Sequence, residues 1–509
     1  MPAGIVNVLA FAPFNIWPIQ ILTLAWLFHR ISSRDAALKH HALSGWLYGF
    51  GWAICGMHWL YISMHDYGGM PGWMAALAVC LLAAYLGLYA ALAAGLAGWL
   101  KQRWRVAPVI LLLLILPALW ACSEWLRGWL FTGFPWLTSG YAHNVGPLAG
   151  FAPLVGVYGL AWIAAIMAGC LAMMGRRANP CALPAMLTVV LAGAGVALQS
   201  VSWTTPAGKP ISVRLLQGNI PQEMKFSNEA LLSSLMLYDD MIRSAPADLI
   251  ATPEIAVPLL PQQLPPDYLA RLTRFVHSTG SHLALGMPLS NAAGQYSNSV
   301  VGFSPDPASA GNAYRYDKQH LVPFGEFIPP GFRWFVDMMH IPLGDMTRGK
   351  SLQPPFQVKQ QWIMPNICYE DLFGEEIARQ IRAATGQAQA SILLNLSNIA
   401  WFGHSIALPQ HLQISQMRAL ETGRPMLRST NTGATAVIGP DGRLLSALQP
   451  YTRNVLTASI QGYQGQTPYI LLGNSLVLAL MLTALVTAWL LSRRRAGFTD
   501  EAHSSPENS

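Results

Sequence analysis

Among the six cysteines of this 509-residue chain, Cys368 stands where chemistry is possible. It ends the β-rich run Trp362-Ile-Met-Pro-Asn-Ile-Cys368, and Tyr369-Glu370-Asp371-Leu-Phe then leads into a helical pattern. A strand–turn–helix junction exposes a nucleophile, and a helix N-terminus favours a thiolate. Glu370 and Asp371 would oppose that effect if they faced the sulfur, so a cation is expected nearby. Lys318 is the candidate, in the stretch Tyr316-Asp-Lys318-Gln-His-Leu-Val-Pro-Phe-Gly-Glu326, where prolines and aromatics hold it and Glu326 stiffly. A third segment, Ala251-Thr-Pro-Glu254-Ile-Ala-Val-Pro, sets a carboxylate directly after an apolar strand. Strand ends in layered α/β folds are where active sites gather.

The elements that must position these residues lie between 203 and 466. Strands are predicted at 211–216, 248–252, 282–287, 297–303, 362–367, 391–396, 434–439 and 455–459. Helices are predicted at 228–244, 266–279, 372–385 and 408–421. This alternation predicts a layered α/β domain, and the hairpin-like neighbours at 282–303 predict a mixed sheet. Cys368 is the one cysteine of this region. Cys55, Cys80, Cys122 and Cys170 fall in apolar spans and Cys181 at the start of another. An unpaired thiol in an oxidising compartment is either buried and inert or used.

The rest of the chain belongs to a membrane. The sequence is 53% hydrophobic and 11% charged, with a mean hydropathy of +0.34, whereas soluble domains carry about a quarter charged residues. Spanning helices are predicted at about 43–63, 73–100, 107–127, 151–174, 182–202 and 468–491, each long enough for a hydrocarbon core about 30 Å thick. Pro13 and Pro18 interrupt the stretch 3–29, which is either a hairpin of two short helices or one kinked span. Arg30, Arg34, Lys39, Lys101, Arg103, Arg105, Arg176, Arg177 and Arg493 to Arg495 occupy alternate loops and the tail, while 64–72 and 128–150 contain no Lys or Arg. The positive-inside rule makes the basic loops cytoplasmic and puts 203–466 on the outer face. The expected organisation is therefore membrane helices one to seven in 1–202, an exported catalytic domain at 203–466, helix eight at 467–492 and a cytoplasmic tail at 493–509. Residues 203–466 hold 19 Lys and Arg against 18 Asp and Glu, so most of the net charge of +7 sits in the membrane part. It reports topology and anionic-lipid contact, not nucleic-acid binding.

Glu254, Lys318 and Cys368, in this order and each at a strand end, resemble the Glu-Lys-Cys triad of the nitrilase superfamily. That resemblance implies an α-β-β-α sandwich in which Glu254 is general base, Lys318 stabilises the tetrahedral intermediate and Cys368 attacks a carbonyl carbon. The segment Glu124-Trp-Leu-Arg127-Gly-Trp-Leu-Phe-Thr-Gly-Phe-Pro-Trp136 narrows the match, because it is similar to the signature of apolipoprotein N-acyltransferases. The likeness covers about residues 1–492 and implies a bacterial inner-membrane protein of about eight spans with a periplasmic nitrilase-like domain. Glu326, Tyr369 and Glu370 match further essential positions of that family. Phe226 departs from it: the family usually has Trp there, and Phe keeps the aromatic face without the indole donor. Glu124 and Arg127, three apart, are predicted to pair across one helical turn.

The implied activity takes an acyl chain from a phospholipid and passes it to the N-terminal amine of a diacylglyceryl apolipoprotein, through a thioester on Cys368. Two apolar connecting stretches, 331–343 and 399–408, either pack into the domain core or form a rim that dips into the bilayer. In the second case Trp334, Phe335, Met338, Met339 and Trp401 touch lipid. A membrane-anchored amidase with the same triad would need water at the thioester and no lipid entrance. A Cys–His protease finds His320, His404 and His411 in undistinguished surroundings, and an inactive transporter or scaffold would be expected to lack part of the triad. No metal and no cofactor are expected, since nothing has metal-ligand spacing or resembles a phosphate-binding loop.

Overall fold

The computed structural model of the chain describes residues 1–33, 37–176, 182–221, 228–291, 294–306, 313–333, 345–383 and 389–503. They fall into two compact units. One holds Met1–His58, Ala76–Val201 and the chain from Leu472 onward; the other holds Trp59–Ala75 and Ser202–Leu471.

The first unit is helical. Among the described residues, four helices are long and apolar enough to cross a bilayer: Gly72–Arg103, Pro108–Arg127, Pro147–Met174 and Ser475–Arg494. The stretch 3–29 divides into Pro2–Asn7, a 3-10 turn at Val8–Ala10, and Pro18–Ser33. The gap contains Pro13, which lacks an amide hydrogen and obstructs the preceding turn. Two predicted boundaries move. The span placed at 43–63 is the helix Leu38–Gly56, and residues 59–63 belong to the second unit. The block 468–491 is broken by Gly473 at φ 54°, which separates Pro468–Leu472 from Ser475–His503. Glu124 and Arg127, within electrostatic reach of each other, also have partners beyond their helix. The Glu124 carboxylate accepts from the amide and hydroxyl of Ser139 at 3.1 and 2.6 Å, and Arg127 donates to the Trp136 carbonyl at 2.8 Å. Both therefore anchor the segment that follows their helix.

The second unit contains two six-stranded sheets. One comprises β1 (Thr205–Gln217), β2 (Leu249–Ala251), β3 (His282–Ser290), β4 (Tyr296–Phe303), β5 (Tyr314–Asp317) and the last strand, β12 (Asn454–Gln464), in the order β12-β1-β2-β3-β4-β5. The other comprises β6 (Phe356–Val358), β7 (Gln361–Ile367), β8 (Ile392–Ser397), β9 (Met426–Thr430), β10 (Ala436–Ile438) and β11 (Leu444–Ala447), in the order β11-β10-β9-β8-β7-β6. Each sheet is mixed as predicted: three parallel strands, β1-β2-β3 and β7-β8-β9, lie between antiparallel neighbours. The eight predicted strands are present, while β5, β6, β9 and β11 escaped prediction.

Alternate residues of these strands serve two cores, as a side-chain period of two requires. Leu249 and Ala251 of β2 join Ile392, Leu394 and Leu396 of β8 in one buried cluster, to which both sheets contribute. Ile250, between the first two, packs instead with α1 (Asn228–Arg243) and α2 (Tyr268–Thr279). Tyr268, Leu272 and Val276 form the buried stripe of α2, spaced by four, and Gly280 ends it in the left-handed conformation. On the second sheet Leu393 meets Ile377 and Ile381 of α3 (Gly374–Ala383) and Ala419 of α4 (Ala407–Thr422). All but three of the 16 residues of α4 are buried, polar ones included.

Residues 59–75 are part of this unit. Trp59 is 1% exposed, lies with its ring centroid 4.3 Å from that of Phe402, and donates its indole N–H to Gln410 Oε1 at 3.2 Å. Tyr67 meets Trp401 edge-on at 6.2 Å.

Candidate active site

Glu254 follows β2, Lys318 follows β5 and Cys368 follows β7, so three strand ends supply the residues singled out from sequence. Lys318 is 1% exposed, and its Nζ lies 2.7 Å from Glu326 Oε1 and 3.2 Å from Glu254 Oε1. Each carboxylate has a second anchor on its other oxygen. Glu254 Oε2 accepts the Asn398 amide at 2.9 Å, and Glu326 Oε2 accepts the Val322 amide at 2.9 Å. Asn298, on β4, stitches the group together: its Nδ2 donates to Glu254 Oε1 at 2.8 Å and to Glu326 Oε1 at 3.0 Å, and its carbonyl receives the Lys318 amide at 2.8 Å.

The electrostatics place the protons. Burial works against charge on Lys318, but Glu254 and Glu326 more than offset it, and the lysine pKa stands above its ordinary value. Burial, and then the charge of Glu254, push the Cys368 thiol up to about 12, against the pull of Lys318. The resting residue is therefore a thiol that needs a base, the role expected of Glu254, and the thiolate-favouring effect of a helix N-terminus does not prevail. Two features account for this. Lys318 is shared by two carboxylates, and the residues after Cys368 form a 3-10 turn, Cys368–Leu372, with α3 beginning only at Gly374. Cys368 itself is half-buried and holds φ at 52°, a left-handed conformation costly for any residue with a side chain.

Neither acidic neighbour is directed to the sulfur. Glu370 Oε1 accepts the amides of Gln319 and His320 at 2.6 and 3.2 Å, and Oε2 accepts the Ile367 amide at 2.6 Å and the Tyr316 hydroxyl at 3.0 Å. Burial pushes Glu370 up to about 7 while the amides pull it back. Asp371 turns to Arg428, 3.1 Å away and, like Asp371, fully buried. Tyr369 is 5% exposed, with its ring 5.3 Å from Phe373 and 5.7 Å from His320. His320 and His404 have packing roles: His320 stacks on Phe373 and bonds Glu376 at 3.0 Å, and His404 stacks on Tyr451. Trp401, one of the residues predicted to touch lipid, is 37% exposed. Phe226, Trp334, Phe335, Met338 and Met339 lie outside the described residues.

Sequence reasoning missed Asn298, the Asn398 amide and the group behind Cys368. The register that pairs Ser299 with Asp317 brings Asn298 beside Lys318, and with β5 unpredicted no signal of it was legible in the sequence.

The model of the apolipoprotein N-acyltransferase N-terminal domain matches residues 3–170, and that of the carbon-nitrogen hydrolase family matches residues 212–469. The apolipoprotein N-acyltransferase of Ralstonia nicotianae is 50% identical over 97% of this chain and 93% of its own length. That of Nitrosomonas europaea is 46% identical over 94% of both chains. Among solved structures, an amidase from Nesterenkonia sp. is 18% identical, covers 51% of this chain and 92% of its own, and gives a TM-score of 0.37. With likeness of this degree running through both the apolar helices and the sheets that carry Glu254, Lys318 and Cys368, the chain belongs to the apolipoprotein N-acyltransferase family.

Proposed function

We propose that this enzyme transfers an acyl chain from a membrane phospholipid to the α-amino group of the N-terminal diacylglyceryl-cysteine of apolipoproteins, by a ping-pong route through a Cys368 thioester. One observation carries the reading: a buried cluster, acting on Cys368, that sets two carboxylates against one lysine. Such a cluster can accept a proton without losing its only ion pair.

In the first half-reaction Glu254 takes the Sγ proton as sulfur bonds to the ester carbonyl carbon. Lys318 stabilises the oxyanion, and the C–O bond breaks as Glu254 returns the proton to the departing lysophospholipid. In the second, the diacylglyceryl-cysteine amine attacks the thioester and gives its proton to Glu254. The C–S bond then breaks, the amide leaves and Cys368 is reprotonated. Glu326 keeps Lys318 in place, and Tyr369 and Glu370 brace the turn that carries the nucleophile. The scheme calls for no metal and no cofactor.

The membrane setting completes the proposal. Residues 1–202, apart from those of 59–75 that join the sheets, supply seven spans and the helix from Ser475 an eighth; 203–466 form an α-β-β-α sandwich on the periplasmic face of the inner membrane, and 493–509 lead into the cytoplasm. The alternation of basic loops supports this orientation. Trp401, with Phe226, Trp334, Phe335, Met338 and Met339, is assigned to lipid contact.

Intact-protein mass spectrometry of the full chain incubated with phospholipid alone tests the scheme. One added acyl mass, absent from Cys368→Ala and discharged by a diacylglyceryl-cysteine peptide, is the expected result. No adduct, or one that survives the substitution, overturns it.

A further inference from the structure

Behind Cys368 lies a second set of buried polar side chains that this scheme leaves idle. His411 and Ser415 come from α4, Arg428 from β9, Asn395 from β8, and Asp371 from the same turn as Cys368. His411 is 2% exposed and the other four are fully buried. A set like this is not explained by stability, since replacing buried ion pairs with apolar groups is often neutral or stabilising.

The connections form a ring. The carbonyl of Cys368 accepts from Asn395 Nδ2 at 3.4 Å and faces His411 Nε2 at 3.3 Å. On the other side of the imidazole, Nδ1 lies 3.0 Å from Arg428 Nη2. A guanidinium can only donate, so Nδ1 must be the acceptor and the ring proton must sit on Nε2, aimed at the Cys368 carbonyl. Burial, and then the charge of Arg428, hold the His411 pKa well below its ordinary value, so the imidazole stays neutral. Arg428 is anchored in turn by Ser415 and by Asp371, and Asp371 is three residues from Cys368. The ring thus begins and ends on the turn that holds the nucleophile.

We propose that His411 is a positioning residue: through its Nε2–H on the Cys368 carbonyl, in the one tautomer Arg428 permits, it holds the nucleophile's backbone in its left-handed conformation. This rests on the reading of Cys368 as nucleophile. An amide carbonyl pinned on one side fixes where Sγ points, and a misplacement of about 1 Å at a reacting atom costs on the order of 100-fold in rate.

The test is single-turnover acylation of the full-length enzyme by phospholipid, followed by intact mass, with Cys368→Ala alongside. His411→Phe keeps an aromatic ring but neither hydrogen bond, and is expected to slow acyl-enzyme formation about 100-fold with the phospholipid KM unchanged. His411→Gln retains an N–H for the Cys368 carbonyl and an oxygen for Arg428, and is expected to recover to within about tenfold of the native rate. Acylation of His411→Phe at the native rate, or His411→Gln no faster than His411→Phe, overturns the proposal. If His411→Phe fails to fold, His411→Asn replaces it. Asn reaches Arg428 but not the carbonyl, so a rate equal to that of His411→Gln overturns the proposal equally. An adduct on Cys368→Ala would instead refute the nucleophile assignment itself.

Discussion

The two buried charge clusters that act on Cys368 are built on opposite plans. The first, from the β2 and β5 ends and the loop after β5, sets Glu254 and Glu326 against one lysine. The second, under the turn after β7, sets Asp371 against one arginine, with Ser415 and His411 filling the remaining directions. One has a carboxylate to spare; the other matches one carboxylate to one guanidinium and links back to the turn it came from, with Asp371 Oδ1 left without a hydrogen-bond partner among the described residues. Spare acceptor capacity next to a thiol is what moving a proton requires, whereas a closed ring is what holding a backbone requires. The difference teaches where to look for chemistry among buried charges: at the cluster that does not sum to zero.

That contrast can be broken by substitution. Removing the spare capacity should have the largest effect. Glu254→Gln is expected to slow acyl-enzyme formation by about 1,000-fold while leaving the melting temperature unchanged or higher, measured by intact mass and thermal unfolding. A rate within tenfold of native would mean the proton goes elsewhere. The balanced cluster should answer in stability. Arg428→Met strands a buried carboxylate and is expected to cost about 3–5 kcal/mol, most of it regained in Arg428→Met with Asp371→Leu. If the single variant melts like the native protein, the cluster is not closed.

Glu370 sharpens the comparison through pH. Its folded-state value of about 7 lies above that of a free glutamate, so the unfolded chain releases this proton first. Its contribution to stability is complete below about pH 4 and is lost as pH rises through 7. Glu370→Gln sets an amide against backbone donors, costs about 1–3 kcal/mol, and is expected to remove that part of the decline between pH 4 and 7. An unchanged melting curve against pH would place the titration on another group. The smallest effect is expected from Trp401→Ser. Half-exposed, it should change stability by less than about 1 kcal/mol but raise the KM for phospholipid; an unchanged KM removes Trp401 from the lipid-contact set.

Glu254 and Cys368 could be singled out because each follows a predicted strand, and Lys318 because it sits among residues that restrict the backbone, although β5 before it was not predicted. What sequence concealed was polar material placed where apolar patterning is the guide. Arg428 puts a charge in the middle of the five-residue β9, Met426–Thr430, which therefore did not read as a strand. The helix α4 was located, but His411, Ser415 and Arg418 along it resemble a solvated face until its burial on nearly all sides is seen. The charge balance around the thiol was hidden for a related reason. Sequence reveals that a cation lies near, not that two carboxylates already hold it. Membrane boundaries slipped where hydropathy runs unbroken through a change of conformation, as at Gly473 and beyond Gly56.

The placement of Trp59 has a consequence for how the molecule is made. Residues 59–75 leave the ribosome before any strand of either sheet, yet Phe402 and Gln410 find their partner there. Chains fold domain by domain as they emerge, and here one piece of the sheet domain is laid down early, between two stretches of the helical unit, to await the rest. A catalytic domain cut out at residues 202 and 471 would carry a hole where that indole belongs.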